Sequence, residues 1–186
     1  MLDDPRTEIV EHMSAMRSFA ISLTRDPVLA EDILQEAVIK AWINFHKFEA
    51  GTNLRAWLIT ILRNTFFSEM RKVKHHAEDA APNPASVPAV PPRHDGVLQM
   101  RDFRRAFRRL SLEHREALLL VGAMGFSYEE AAGMCGVPVG TIKSRVIRAR
   151  RCLAAHLEIE KGETRDLTDA SIRAVISNGH APAPDL

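Results

Sequence analysis

The chain has 186 residues and a formal net charge of +1, a length that holds one domain or two small ones. Apolar residues make up 46% and aromatics only 6%, the balance of an ordinary folded protein that leans towards helix. No apolar run approaches the roughly 20 residues of a membrane span, the acidic start MLDDPRTEIVEH lacks the plan of a signal peptide, and Cys135 and Cys152 make neither a disulfide framework nor a zinc pattern.

A cytoplasmic protein with two buried or half-buried thiols is therefore expected. The low net charge by itself argues against a nucleic-acid binder, but distribution outweighs the sum. Lys143, Arg145, Arg148, Arg150 and Arg151 lie between Thr141 and Leu157 without one acid. Arg101, Arg104, Arg105, Arg108 and Arg109 face Asp102 alone, and the acids Glu158, Glu160, Glu163, Asp166 and Asp169 gather after Leu157.

In chain order, Asp4-Pro5 suits an N-cap with proline at the first helical position. Ile9, Val10, Met13, Met16, Ala20 and Leu23 then recur at helical spacing. Asp26-Pro27 repeats the start signal and opens a stripe of Ala30, Ile33, Leu34, Ala37, Val38, Ala41, Trp42 and Phe45. Its polar face carries Glu31, Asp32, Gln35, Glu36 and Lys40. Asn53 is placed to cap a third helix with Leu54, Trp57, Leu58, Ile61, Leu62 and Phe66 inward. Arg55, Arg63, Asn64, Ser68, Arg71 and Lys72 are outward. Trp42 and Trp57, on apolar stripes, are expected in the core. Three such stripes bury one another most simply as a three-helix unit.

The segment AEDAAPNPASVPAVPP, residues 77–92, sets five prolines among small residues. It excludes helix and reads as a linker. Beyond it, Leu98 to Leu110 is basic and amphipathic. Ser111 is placed to cap Leu112 to Met124, which stops at Gly125. Ser127 and Glu130 form a capping-box pattern. Gly136, Pro138 and Gly140 interrupt, and Thr141 to Leu157 is the last helix before a polar tail with a weak amphipathic stretch from Leu167 to Ile176. The expected architecture is all-α: two small helical domains, residues 5–76 and 96–158, a Pro/Ala-rich linker over 77–95, and a tail over 159–186.

Ser127 to Leu157 has the layout of a helix-turn-helix. Ala131 and Ala132 permit close crossing, GVPVG makes the turn, and Ile142, Val146 and Leu153 anchor the second helix. A basic second helix fits the major groove, its early residues on base edges and later ones on phosphates. On that reading Lys143, Ser144 and Arg145 lie towards the bases and Arg148 and Arg151 towards the backbone, with Thr141 also at the DNA. A solvated basic helix in an ordinary bundle is the plainer alternative. An enzyme is disfavoured: the pair His75-His76 has no acid at the spacing of a metal or acid–base site, and no cofactor or metal is called for.

SYEEAAGMCGVPVGTIKSRVIRARRCL resembles region four of bacterial sigma factors. DILQEAVIKAWINFHKFEAG resembles their region 2.2, and LRAWLITILRNTFFSEMRK their regions 2.3 and 2.4. Two such domains joined by a short linker resemble the extracytoplasmic-function sigma factors, over about Glu8 to Leu157. The resemblance implies binding to core RNA polymerase through Glu31, Asp32, Gln35, Glu36 and Lys40. It implies that Arg63, Asn64, Ser68, Arg71 and Lys72, with Phe48 in the preceding loop, meet the promoter element that opens, Asn64 lying near a flipped base and Phe48 walling its pocket. With few aromatics left exposed, modest melting power and stringent promoters are expected.

The chain is further similar to the general-stress sigma factors of alphaproteobacteria. That similarity implies a small anti-sigma protein as partner, displaced by a response regulator with a sigma-like domain. Two other readings stay open on the sequence. One is a sigma-like mimic that never touches DNA; the other is a helix-turn-helix regulator independent of polymerase.

Overall fold

The computed structural model describes residues 7–77 and 95–157, and every regular element among them is helical. Two compact units divide between residues 91 and 92. The Asp4-Pro5 start, residues 78–94 of the expected linker and the tail lie outside the described residues, while the linker's expected end residues, Ala77 and Asp95, belong to helices.

The first unit holds α1 (Glu8–Thr24), α2 (Pro27–Ile43), a 3-10 turn (Phe45–Lys47) and α3 (Leu54–Ala77), each helix packed on the other two. The α1–α2 turn is fixed locally. Arg25 takes the left-handed conformation at φ 64° and its N–H closes on Ile21 O, a left-handed C-cap. Asp26 then accepts from the Val28 and Leu29 amides at 2.9 and 3.3 Å, with Pro27 at the first helical position. The Thr24 hydroxyl donates to Asp26 O at 2.9 Å. Asn53 caps α3 as expected, its Oδ1 accepting from the Ala56 amide at 3.1 Å.

The core of this unit is Met16, Phe19, Ala20 and Leu23 against Ala30, Ile33, Leu34, Ala37 and Ala41, closed by Leu58, Ile59, Leu62 and Phe66. The three alanines of α2 let the neighbouring helices approach. Two expectations need correction. Val10 is exposed, and Trp42, expected inside, is 50% exposed, because the alanines already fill the face of α2 that meets α1 and α3. Trp57 is half-buried, in edge and tilted contact with Phe45 and Phe48 at 6.0 and 5.5 Å.

The second unit holds α4 (Asp95–Arg109), α5 (Leu112–Leu118), a π turn (Leu119–Ala123), α6 (Tyr128–Cys135) and α7 (Val139–Leu157). The helix expected from Leu112 to Met124 is present but widens into the π turn over its last residues. Met124 N–H reaches Leu119 O at 2.9 Å, and Gly125 leaves at φ 73°. Phe103 and Phe107 of α4, Leu110 just after it, Leu118 to Leu120, and Ile142, Val146, Ala149 and Leu153 of α7 are buried. Cys135 is buried, whereas Cys152 is exposed.

Candidate nucleic-acid interface

The helix-turn-helix is assembled by short-range bonds. Ser127 Oγ accepts from the Glu130 amide at 3.0 Å, and Glu130 Oε2 accepts from the Ser127 amide at 2.8 Å. The capping box therefore satisfies two of the orphan donors at the start of α6. Gly136, at φ 65°, ends α6; its N–H reaches Gly133 O and the Val137 N–H reaches Ala132 O. Those two bonds form a Schellman motif. α7 begins at Val139, two residues before the expected Thr141, so Gly140 lies inside the helix and not in the turn.

α7 buries Ile142, Val146, Ala149 and Leu153. Lys143, Arg148 and Arg151 are exposed, Arg145 is half-buried, and Ile147 stands 49% exposed between the cations. Lys143 Nζ lies 5.8 Å from the Tyr128 ring centroid, a cation–π contact that orients it. The Ser144 hydroxyl donates back to Thr141 O at 2.9 Å, so it is already bonded within the helix. The Glu113 carboxyl of α5 is held below its ordinary range chiefly by its own backbone N–H, against burial, with help from the Ser111 hydroxyl and the Arg145 and His114 charges. Of the early α7 residues, Lys143 is thus the most available to a ligand.

In the first unit, an open groove of about 510 Å³ runs between the end of α2, the turn after it and α3. Its lining includes Asn64, Ser68 and Arg71, as the sequence suggested, together with Lys40, Asn44, Lys47, Trp57, Ile61 and Thr65. Arg63 is turned aside, its guanidinium 4.6 Å over the Phe67 ring. Lys72 is exposed and ion-paired with Glu69. Arg55, expected outward, is half-buried, and burial lowers its pKa. Phe48 is half-buried in the cluster with Phe45 and Trp57.

The acidic face of α2 is divided by packing. Arg17 of α1 grips Glu31 with two bonds of 3.0 and 3.1 Å. Asp32 and Gln35 are exposed, whereas Glu36 is ion-paired with Lys40 at 2.6 Å. Lys40 bridges this face and α3: besides its pair with Glu36, its Nζ donates to Thr65 Oγ1 at 3.3 Å. Beside Asp32 and Gln35 the helix exposes Val28, Ile39, Trp42 and Ile43. Sequence reading missed this apolar set, although Val28, Ile39 and Ile43 fall outside the stripe of α2, which signals a helix covered on more than one side. It missed Asn44 and Lys47 too, whose spacing from Lys40 puts all three along one side of the chain.

Comparison with known proteins follows the same division. The sigma-70 region 2 family model matches residues 9–76, and the sigma-70 region 4 model matches residues 100–153. The ECF RNA polymerase sigma factor EcfG of Rhodopseudomonas palustris (strain TIE-1) is 44% identical over 176 residues, 95% of this chain and 97% of the relative. The ECF RNA polymerase sigma factor SigC of Mycobacterium tuberculosis (strain CDC 1551 / Oshkosh) is 36% identical over 137 residues, 69% of this chain and 70% of the relative. Among solved structures, the sigma factor RpoE from Bartonella quintana, crystallised with the anti-sigma factor NepR, aligns with a TM-score of 0.78 at 44% identity, over 86% of this chain and 100% of that one.

Proposed function

The chain belongs to the extracytoplasmic-function sigma factors, and on that premise we propose that it docks on core RNA polymerase and directs initiation at promoters with two separated elements. The observation that carries the reading is the pair of family matches, region 2 over residues 9–76 and region 4 over residues 100–153, in that order on one chain.

Each unit has its task. Core polymerase meets α2 through Asp32, Gln35, Glu31 and Glu36 and through the exposed Val28, Ile39, Trp42 and Ile43. Acids on that face repel DNA, and exposed apolar side chains favour a protein partner. The upstream element lies along α7, with Thr141, Lys143, Ser144 and Arg145 towards base edges and Arg148 and Arg151 on phosphates. The downstream element lies on α3, where Asn64 meets an extruded base near Phe48, and Arg63, Ser68, Arg71 and Lys72 surround it.

The protein works in the cytoplasm and is held in check by a small anti-sigma protein. Support for that partner comes from the Bartonella quintana relative, whose complex with NepR involves a chain 44% identical to this one. Release by a response regulator carrying a sigma-like domain, in a stress response, completes the scheme. No step calls for chemistry by the chain itself.

Run-off transcription with purified core polymerase tests the reading. Promoter-dependent transcript should appear only when this protein is added. Arg148→Ala should weaken upstream binding for all sequences alike, with a salt slope shallower by about 0.9. Absence of a promoter-dependent transcript in reactions containing core polymerase and this chain alone would overturn it.

A further inference from the structure

We infer that Lys40 and Lys47 hold the phosphate backbone of the single strand whose base meets Asn64, which makes the end of α2 one wall of the DNA groove. The inference rests on the sigma-factor reading above and adds residues to its downstream site.

Lys40 sits on the same helix as the acidic face, but its ammonium is tethered across to α3. It lies 2.6 Å from Glu36 Oε1 and 3.3 Å from the hydroxyl of Thr65. Thr65 is 1% exposed and follows Asn64 directly, so its hydroxyl is a fixed anchor on the floor of the groove. Lys47 is fixed from the other side. Its Nζ donates to Asn44 Oδ1 at 2.8 Å, and Asn44 Nδ2 donates to the Lys40 carbonyl at 2.9 Å. One amide thereby sets the second ammonium in register with the backbone that carries the first. Asn44 is a positioning residue, and among the described residues no carboxylate is bonded to Lys47.

Both lysines line the groove that holds Asn64. An ammonium has three donors; these contacts leave donors for a ligand on each. Placed cations along a groove, with an aromatic wall (here Trp57) and an amide for bases, are the chemistry by which proteins hold single-stranded nucleic acid. Glu36 is no obstacle, because an exposed i,i+4 ion pair is weak and readily exchanged for a phosphate. Lys40 Nζ lies between the Glu36 carboxylate and the Thr65 hydroxyl, so it reaches the groove from the edge of the acidic face.

Binding of the holoenzyme to a promoter fork, single-stranded over the downstream element, tests this. Lys40→Ala and Lys47→Ala should each weaken binding equally for every base at the Asn64 position. Each should make the plot of log affinity against log salt shallower by about 0.7, the single-strand value per phosphate. Lys40→Arg should restore the slope, and Asn64→Ala should change base preference without changing it. Lys47 is exposed, so its variant reads out the groove even where Lys40→Ala perturbs the packing on Thr65. An unchanged slope in both alanine variants, or a loss of core polymerase affinity from Lys40→Ala in its place, overturns the inference. Failure of the wild-type holoenzyme to prefer the promoter fork over a scrambled one overturns instead the function on which it rests.

Discussion

The two candidate DNA surfaces are built in opposite ways. On α7 the exposed cations belong to one helix, and that helix is positioned by bonds of short sequence range: the Ser127–Glu130 box, the left-handed Gly136 and the turn into Val139. In the first unit the groove draws on α2, the turn after it and α3, so its shape exists only when three segments are packed. A local surface is legible from spacing. A composite one must wait for the packing that makes it, and it is correspondingly more sensitive to the core beneath.

That contrast is open to attack on several scales. The largest effects come from the two cores. Leu62→Ala and Leu153→Ala each empty a site that is 0% exposed, and each should cost about 2–5 kcal/mol. Denaturant unfolding followed by amide exchange should show the first loosening residues 8–77 alone and the second residues 95–157 alone. Loss of protection in both units from either variant would show that the units are not separately cored. Leu62→Ala should also disable the groove, whereas Leu153→Ala leaves it intact.

Smaller effects test the local construction. Ser127→Ala removes one of the two capping-box bonds and should lower the stability of the second unit by about 1 kcal/mol, read as a shift in its unfolding midpoint with no change in the first. The smallest effect concerns acid. The folded Glu113 carboxyl is held below its ordinary value of 4.5. Its contribution is therefore present above that value and is lost as the pH falls through the depressed folded one. Glu113→Gln should flatten this part of the acid limb of the second unit's stability curve; an identical limb in wild type and variant would show that the Ser111, Glu113 and Arg145 cluster adds nothing to folding.

How far the sequence could be read follows the same division. Caps were legible because they are local: Asp26, Asn53, Ser111 and Ser127 all accept the backbone amides expected of them. The core stripes were legible at Ile33, Leu34, Leu58, Leu62, Ile142 and Val146, where helical period and burial coincide. Trp42 was misplaced because period alone cannot say how wide a face its neighbours cover. Ala30, Ala37 and Ala41 close the interface before Trp42 is reached. The π turn at Leu119–Ala123 left no mark in the spacing that would separate it from ordinary helix.

The sequence by itself determined that the chain makes helices, where several of them begin, that two units are separated by prolines, and that the helix after the Gly136 turn is basic and free of acid. These follow from backbone bonding, capping and charge within a few residues of one another. The tertiary structure alone decided which charges are spoken for. It pairs Glu31 with Arg17, turns Arg63 onto Phe67 and bonds Lys40 to Thr65 on α3 as well as to Glu36. Whether a long polar side chain meets solvent, a neighbouring helix or a ligand depends on what packing brings within a few ångströms of its tip, and sequence distance does not encode that.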